Sequence, residues 1–279
     1  NKLKTLGLDS ADNFVQFTGD INLTGDNIDN LSGSVVLDSF RLNNGERTNI
    51  IKNVNLIADI NPNNRHYNLT SDLASIDITG DFLPSELSDM AAYMQHIIYP
   101  SNWDKPEKPL LTKDINLAIN VLSYNPVFDE YLSGLYFDSL GVAINYNQQD
   151  GKILSTAKLT NFNYDAVSTP ALSINLQNGG DFTPINFGIN TKGLIQNDSI
   201  LFDILNANGY INDGIVNFET TAARDSILDI VLGGRFIYKN DSSLVFFDNS
   251  KVNIYEQSWT LRKKEEPHIL NYHGITAFQ

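Results

Sequence analysis

The histidines are the first candidates for chemistry in this chain, because imidazole is a common metal ligand and general base. They are His66, His96, His268 and His273. Only His268 and His273 lie close together in sequence, whereas a zinc site normally needs three or four ligands. The chain has no cysteine, which excludes disulfides and a thiol nucleophile. We therefore predict no metal site and no cofactor.

Paired carboxylates are the second candidate, because two of them placed around a sugar can hydrolyse a glycosidic bond. Acidic residues are adjacent only at Asp129-Glu130 and Glu265-Glu266. Most other aspartates lie in predicted turns or on polar strand positions, where capping and solubility explain them. The sequence also lacks a phosphate-binding loop, a His-Glu-x-x-His motif and a Gly-x-Ser-x-Gly motif. We therefore predict that the protein is not an enzyme and has no catalytic residues.

Short runs of alternating apolar and polar residues fill the chain from Phe14 to about Leu261. Because strand side chains point to opposite faces with a period of two, each run predicts a strand with one apolar face. Closely spaced Asn, Gly and Asp turns favour sequential antiparallel hairpins. The predicted strands cover residues 14–25, 33–42, 48–60, 66–82, 114–123, 139–147, 152–164, 171–177, 183–192, 199–205, 209–222, 227–239, 243–247 and 251–256. Within 66–82 the apolar residues change from odd-numbered to even-numbered positions, which predicts a β-bulge near Ala74-Ser75.

One segment has helical rather than strand periodicity. Apolar residues recur every three or four positions from Leu83 to Ile98, which predicts an amphipathic helix over 84–98. Pro84 suits the first helical turn, and Tyr99-Pro100 ends the helix. Residues 101–112 are predicted to form a loop, and a shorter helix is expected at 126–132.

The charge balance disfavours two classes of partner. The 279 residues carry a formal net charge of −14, which disfavours nucleic acid and attraction to an anionic bilayer surface.

No run of about 18 apolar residues is present, so no membrane-spanning helix is predicted. The chain begins at Asn1 and ends just after a strand-like segment. We interpret it as a piece of a longer protein.

The segment Ser71–Phe82, followed directly by an amphipathic helix ending in Tyr99-Pro100, resembles the TamB-like proteins of the AsmA superfamily in their Bacteroidota-type form. The upstream run Leu31–Leu37 fits the same pattern, as does the tail from Ser250 to Leu261 with its Trp259. The resemblance covers most of the chain.

This resemblance implies a mainly β fold: a long, curved, antiparallel-rich sheet that forms an apolar, taco-like groove. Residues 1–82 and 113–279 would be two segments of one groove, and 83–112 a helix and loop insertion. The family is periplasmic, with an anchor in the inner membrane and an outer-membrane β-barrel partner, both of which would require regions outside this chain. Its implied role is outer-membrane biogenesis, through phospholipid transport or assembly of outer-membrane proteins.

The apolar face has two interpretations. It can be the core between two closed sheets, or it can remain an open groove that holds phospholipid acyl chains. The family resemblance favours the groove. The predicted lipid-binding residues are Val15, Phe17, Ile21, Leu23, Val35, Leu37, Val54, Leu56, Ile76, Ile78, Ile115, Leu117, Ile119, Val121, Val142, Ile144, Phe187, Ile189, Phe202, Ile204, Ile230 and Leu232.

Two other functions stay open. Exposed strand edges could pair with incoming outer-membrane strands, which would make the protein an assembly chaperone. The chain could also be a purely structural β-domain. The family resemblance further implies possible O-glycosylation at Asp-Ser followed by an aliphatic residue, a motif that occurs at Ser10, Ser139, Ser199 and Ser226.

Overall fold

The computed structural model describes residues 14–43, 48–61, 64–98, 111–122, 134–182, 184–239, 242–264, 269–272 and 275–278. These residues form one large antiparallel sheet that does not close on itself, with a single short α-helix. The predicted fold class is therefore confirmed. The strands are β1 (Phe14–Thr24), β2 (Ser32–Asn43), β3 (Thr48–Asn61), β4 (Asn64–Thr70), β5 (Ala74–Gly80), β6 (Asp114–Val121), β7 (Leu135–Tyr136), β8 (Ser139–Asn147), β9 (Lys152–Tyr164), β10 (Val167–Gln177), β11 (Ile185–Gln196), β12 (Ser199–Asn212), β13 (Ile215–Arg224), β14 (Leu228–Lys239), β15 (Ser242–Phe247), β16 (Ser250–Ile254), β17 (Gln257–Leu261), β18 (Ile269–Tyr272) and β19 (Ile275–Phe278).

From β1 to β14 the sheet is a long meander in which each strand pairs with the next one in sequence. The exception is the two-residue β7, which pairs with the end of β9, so that β6 pairs directly with β8. The meander divides at β14, because one half of that strand pairs with β15 and the other half with β16. Short connections make this topology the expected one for closely spaced strands.

In two stretches of the chain a turn lies at a different place from the one predicted. The run 66–82 is two strands, β4 and β5, joined by a tight turn at residues 71–73. The hydroxyl of Ser71 accepts hydrogen bonds from the backbone N–H groups of Leu73 and Ala74 at 3.2 and 3.1 Å. The predicted bulge near Ala74-Ser75 is therefore wrong, because the change of parity marks a hairpin turn instead.

The second correction concerns residues 199–222. The predicted break at 206–208 does not exist, and β12 continues to Asn212. The turn lies at Asp213-Gly214, and both residues have positive φ, as Asp and Gly tolerate. Asn206 and Asn208 resemble turn residues in the sequence, but they are polar-face positions of a continuous strand.

The helical segment is an excursion between two neighbouring strands, since β5 pairs with β6 from Ala74↔Val121 to Thr79↔Asn116. It contains a 3₁₀ turn at Pro84–Glu86 followed by α1 (Leu87–Ile98), as predicted. The carboxylate of Glu86 accepts hydrogen bonds from Leu111 N, Thr112 N and Thr112 Oγ1 at 2.8–3.0 Å, which fixes the start of the excursion to its end.

Some predictions concern residues outside the described part of the chain. These are the helix at 126–132 and the loop at 101–112, apart from its last two residues. Within the described part, no helix has both the length and the hydropathy needed to cross a bilayer.

Candidate functional site: the apolar face of the sheet

The strand register joins apolar side chains into rows that cross the sheet. Residues paired on adjacent antiparallel strands lie on the same face, so a face can be followed from strand to strand. One row, here called the middle row, crosses thirteen strands. Its members are Ile21, Val35, Leu56, Leu69, Ile76, Ile119, Val142, Ala157, Ile174, Ile189, Ala207, Thr220 and Leu232. At about 4.8 Å between strands, its length is about 58 Å.

A parallel row on the same face alternates phenylalanine and glycine over its last strands. Phe187, Gly209, Phe218, Gly234 and Phe247 are successive partners. The two glycines leave room for the rings, since a Cβ on Gly209 would lie 2.8 Å from the Phe187 ring and one on Gly234 would lie 3.0 Å from Phe218. The aromatic rings therefore cover the glycines and keep this part of the face apolar.

The opposite face is more polar, although it also carries exposed apolar side chains such as Val36 and Ile57. Asn120, Asn190 and Asn206 are on it, each one position along the strand from a member of the middle row. At another point of this face, His66 Nε2 lies 2.8 Å from Asp77 Oδ2, and Asn68 donates to the same oxygen at 2.9 Å. The hydrogen bond with His66, and then that with Asn68, lowers the pKa of the Asp77 carboxyl. The sheet is thus amphipathic.

The described residues leave the middle of the apolar face partly accessible. Ile119, Val142 and Ile189 are only partly buried, and at the edge strand β1 Phe17 and Ile21 are 46% and 54% exposed. In a sandwich of two closed sheets, central side chains of this kind would be fully buried. The described part of the molecule is therefore an open sheet with an accessible apolar face.

Helix α1 covers one end of this face. Tyr146 on β8, Ile153 on β9 and Ile185 on β11 form a buried cluster, and Met90 and Met94 of α1 pack against it. Phe182 also contacts this cluster, with its ring stacked on Tyr146 at a centroid distance of 5.9 Å. We call this region the covered end. It is a true hydrophobic core, built from the same strands as the open part.

Two hydroxyl groups are buried on the apolar face without a hydrogen-bond partner among the described residues: Tyr146 Oη and Thr191 Oγ1. Burial raises the pKa of Tyr146 to about 12, and the neighbouring Tyr93 adds to this effect. A neutral phenol is the form that such an apolar setting favours.

A distinct pocket of about 360 Å³ opens on the apolar face where β2–β5 meet. We call it the β2–β5 pocket. Its apolar lining consists of Leu37, Phe40, Ile51, Val54, Leu69, Leu73 and Ala74. Strand β2 has one extra residue at the register shift opposite Thr18/Gly19, so Leu37 and Phe40 lie on the same face although they are three positions apart. On the neighbouring strand β3, Asn53 has a positive φ of 53°. This irregularity re-aims Phe40 onto the apolar face.

The register places the predicted lipid-binding residues on the apolar face, apart from Ile204 and Phe202. Ile204 pairs with Lys192, one position from the Leu205–Thr191 pair on the apolar face, so its assignment to the groove is corrected. Between Ile204 and Phe202 the ladder skips Asp203 and Gly193, and Gly193 has a positive φ of 67°. Alternation therefore does not extend from Ile204 to Phe202. For Phe202 and the others, contact with lipid stays a prediction.

Sequence reasoning missed several residues of the apolar face. Leu172, Ile174 and Leu176 on β10 alternate clearly and could have been included from the same signal. Phe40, Ile51 and Leu73 were missed for a different reason. They lie beside the β2–β3 irregularity or in the β4–β5 turn, where strict alternation fails.

Most of the residues first considered for chemistry lie outside the described part of the chain. They are Asp129-Glu130, Glu265-Glu266, His268 and His273. In the described ranges no group of three or more His, Asp or Glu side chains is arranged to hold a metal ion. Of the Asp-Ser motifs, Ser199 and Ser226 are exposed at hairpin ends, whereas the Ser139 hydroxyl lies 2.7 Å from that of Thr160.

The chain matches no protein-family model, no curated protein and no solved structure. Its resemblance to TamB-like proteins therefore stays a prediction, and functional inference depends on the geometry of the apolar face.

Proposed function

We propose that this chain holds phospholipid acyl chains along the apolar face of its open sheet. In this proposal it is part of a periplasmic conduit for phospholipid between the inner and outer membranes, in a protein anchored in the inner membrane and meeting an outer-membrane β-barrel through other regions. The observation that supports it is the middle row, which crosses thirteen strands, is apolar at every position except Thr220, and is left partly exposed by the described residues.

The energetics of hydrocarbon burial suit such a surface. Each methylene that leaves water contributes about 0.8 kcal/mol, so an acyl chain lying on the face binds without any contact to its head group. The middle row is about 58 Å long by strand spacing, compared with about 30 Å for the hydrocarbon core of a bilayer. It can therefore accommodate more than one acyl chain, and it does not distinguish between lipid head groups.

A second candidate function is pairing of an edge strand with unfolded outer-membrane β-strands. Strand β1 has eleven residues, contains no proline, and has Asp20 as its one charged residue. Among the described strands it pairs only with β2. Long edges with few charges readily accept another strand. Changing the exposed Gln16 and Thr18 to lysine should abolish capture of an unfolded outer-membrane β-barrel protein if pairing is the function, and should leave phospholipid binding intact.

The primary test is mass spectrometry of phospholipid that copurifies with the protein. We expect the unsubstituted chain to retain phospholipid and Ile119→Asp to lose most of it while keeping its β-sheet circular dichroism spectrum. The control is Asn120→Asp, which adds the same charge to the same strand but on the polar face, and should retain lipid.

Two results would contradict the proposal. One is the absence of phospholipid from protein made in a lipid-rich host. The other is unfolding of Ile119→Asp, because a closed core cannot tolerate an unpaired buried charge.

A further inference from the structure

The β2–β5 pocket differs from the rest of the apolar face because it has depth and almost no polar surface. Its floor includes Leu37 and Leu73, which are 7% and 8% exposed. Among the described residues that line it, Ser71 is the only polar one. The Ser71 hydroxyl accepts from the N–H groups of Leu73 and Ala74 and can donate to the Ala74 carbonyl at 3.2 Å. It is therefore engaged by the turn and offers little to a ligand.

The walls of the pocket are fixed by backbone hydrogen bonds. The β4–β5 turn is held against β3, because Lys52 N–H donates to the Asp72 carboxylate at 2.8 Å and Asp72 N–H donates to the Lys52 carbonyl at 3.1 Å. On the other side, Leu122 N–H donates to the Leu73 carbonyl at 2.8 Å. These contacts keep Leu73 in the gap beyond the end of β4. The shape of the pocket is therefore fixed by the fold.

We infer that the β2–β5 pocket takes the methyl end of one phospholipid acyl chain; this inference depends on the function proposed above. A peptide strand would leave backbone N–H and C=O groups without partners there, which is costly. Among the described lining residues, a lipid head group would meet no charge and no hydrogen-bond donor other than the engaged Ser71 hydroxyl. Hydrocarbon is the one part of a phospholipid that loses no hydrogen bond when it moves from water into such a lining.

The size and position of the pocket fit the end of an acyl chain. At about 30 Å³ for a group the size of a water molecule, its volume of about 360 Å³ has room for roughly a dozen methylene-sized groups. Leu69 lines the pocket and is also a member of the middle row, next to Leu56 and Ile76. The rest of the acyl chain can therefore continue along the middle row, with the glycerol end farthest from the pocket.

Tryptophan quenching by brominated phosphatidylcholine tests this orientation. In a background with Trp103 and Trp259 changed to phenylalanine, Phe40→Trp reports on the pocket and Ile189→Trp reports on the middle row. Lipid brominated at the methyl end of its acyl chain should quench Trp at position 40 at least threefold more than lipid brominated next to the glycerol. The two lipids should quench Trp at position 189 about equally. Ile51→Trp is a second reporter for the pocket if Phe40→Trp does not fold.

Filling the pocket provides an independent readout. Ala74→Phe should weaken phosphatidylcholine binding at least threefold, whereas Ala143→Phe, the same change on the polar face of β8, should alter it less than twofold. Quenching at position 189 without quenching at position 40, or equal quenching of position 40 by both lipids, overturns the inference and leaves the proposed function standing. If the unsubstituted protein binds no phospholipid and both reporters are silent, the proposed function itself fails.

Discussion

The covered end and the uncovered part of the apolar face are made from the same strands and the same alternation. Ile185 and Ile189 lie four residues apart on β11 and point to the same face. Ile185 contributes to the buried cluster beneath α1 and is 3% exposed, whereas Ile189 in the middle row is only partly buried. The difference comes from the helix, not from the strand. In one molecule, the apolar side of an alternating strand therefore forms a closed core in one region and an open surface in another. Substitutions in one region can be compared directly with those in the other.

The largest expected contrast is between charges placed in the two regions. Ile153→Asp introduces an unpaired carboxylate beneath α1 and should cost at least about 3 kcal/mol, enough to unfold a marginally stable chain. Ile119→Asp should leave the protein folded. Urea denaturation followed by circular dichroism measures both free energies of unfolding. Equal losses in the two variants would show that the uncovered part is a core as well.

Truncation to alanine should give a smaller contrast in the same direction. Ile185→Ala creates a cavity in a packed cluster and should cost about 2–4 kcal/mol. Ile189→Ala removes partly exposed methyl groups and should cost about 1 kcal/mol. Thermal and urea unfolding of the two variants, compared at one protein concentration, checks the difference. A larger loss for Ile189→Ala would place the principal core in the middle row and contradict the comparison.

The smallest effect concerns the Tyr146 hydroxyl at the covered end. Tyr146→Phe removes a buried hydroxyl without a partner among the described residues and should raise the free energy of unfolding by about 1 kcal/mol at neutral pH. Because the folded pKa is about 12 and the unfolded value about 10, the unfolded tyrosine ionises first as the pH rises above about 10. The unsubstituted protein should thus lose more stability than Tyr146→Phe between about pH 10 and 12. Parallel alkaline unfolding curves would exclude this role for Tyr146.

Strand identity and the apolar face could largely be predicted from the sequence, because alternation is a local property. The pairs Ile119–Val142 and Leu117–Ile144 needed only parity and short hairpins. Helix α1 was also predictable, because its apolar residues follow helical spacing and Pro84 and Pro100 bracket it.

The remaining features depend on information that alternation does not contain. Asp213-Gly214 and Asn206 look alike as turn residues, and only the register shows which of them ends a strand. Ile204 is apolar, but it lies opposite to Leu205 and faces away from the groove. The β2–β5 pocket arises at the irregularity shared by β2 and β3, which changes the phase of the apolar positions within both strands. Coverage by α1 is a tertiary contact between residues about 50–100 positions apart, so no local pattern encodes it.

Because strands pair with their neighbours in sequence, the length of the middle row increases with each strand that is added to the chain. From β1 to β14 nearly every strand pairs only with strands close to it in sequence, so each hairpin is a module that contacts only its neighbours, as in repeat proteins. Gaining or losing one hairpin would change the reach of the sheet by about 10 Å without altering parity elsewhere. Because most pairings are local, the sheet can also assemble hairpin by hairpin from one end as the polypeptide emerges.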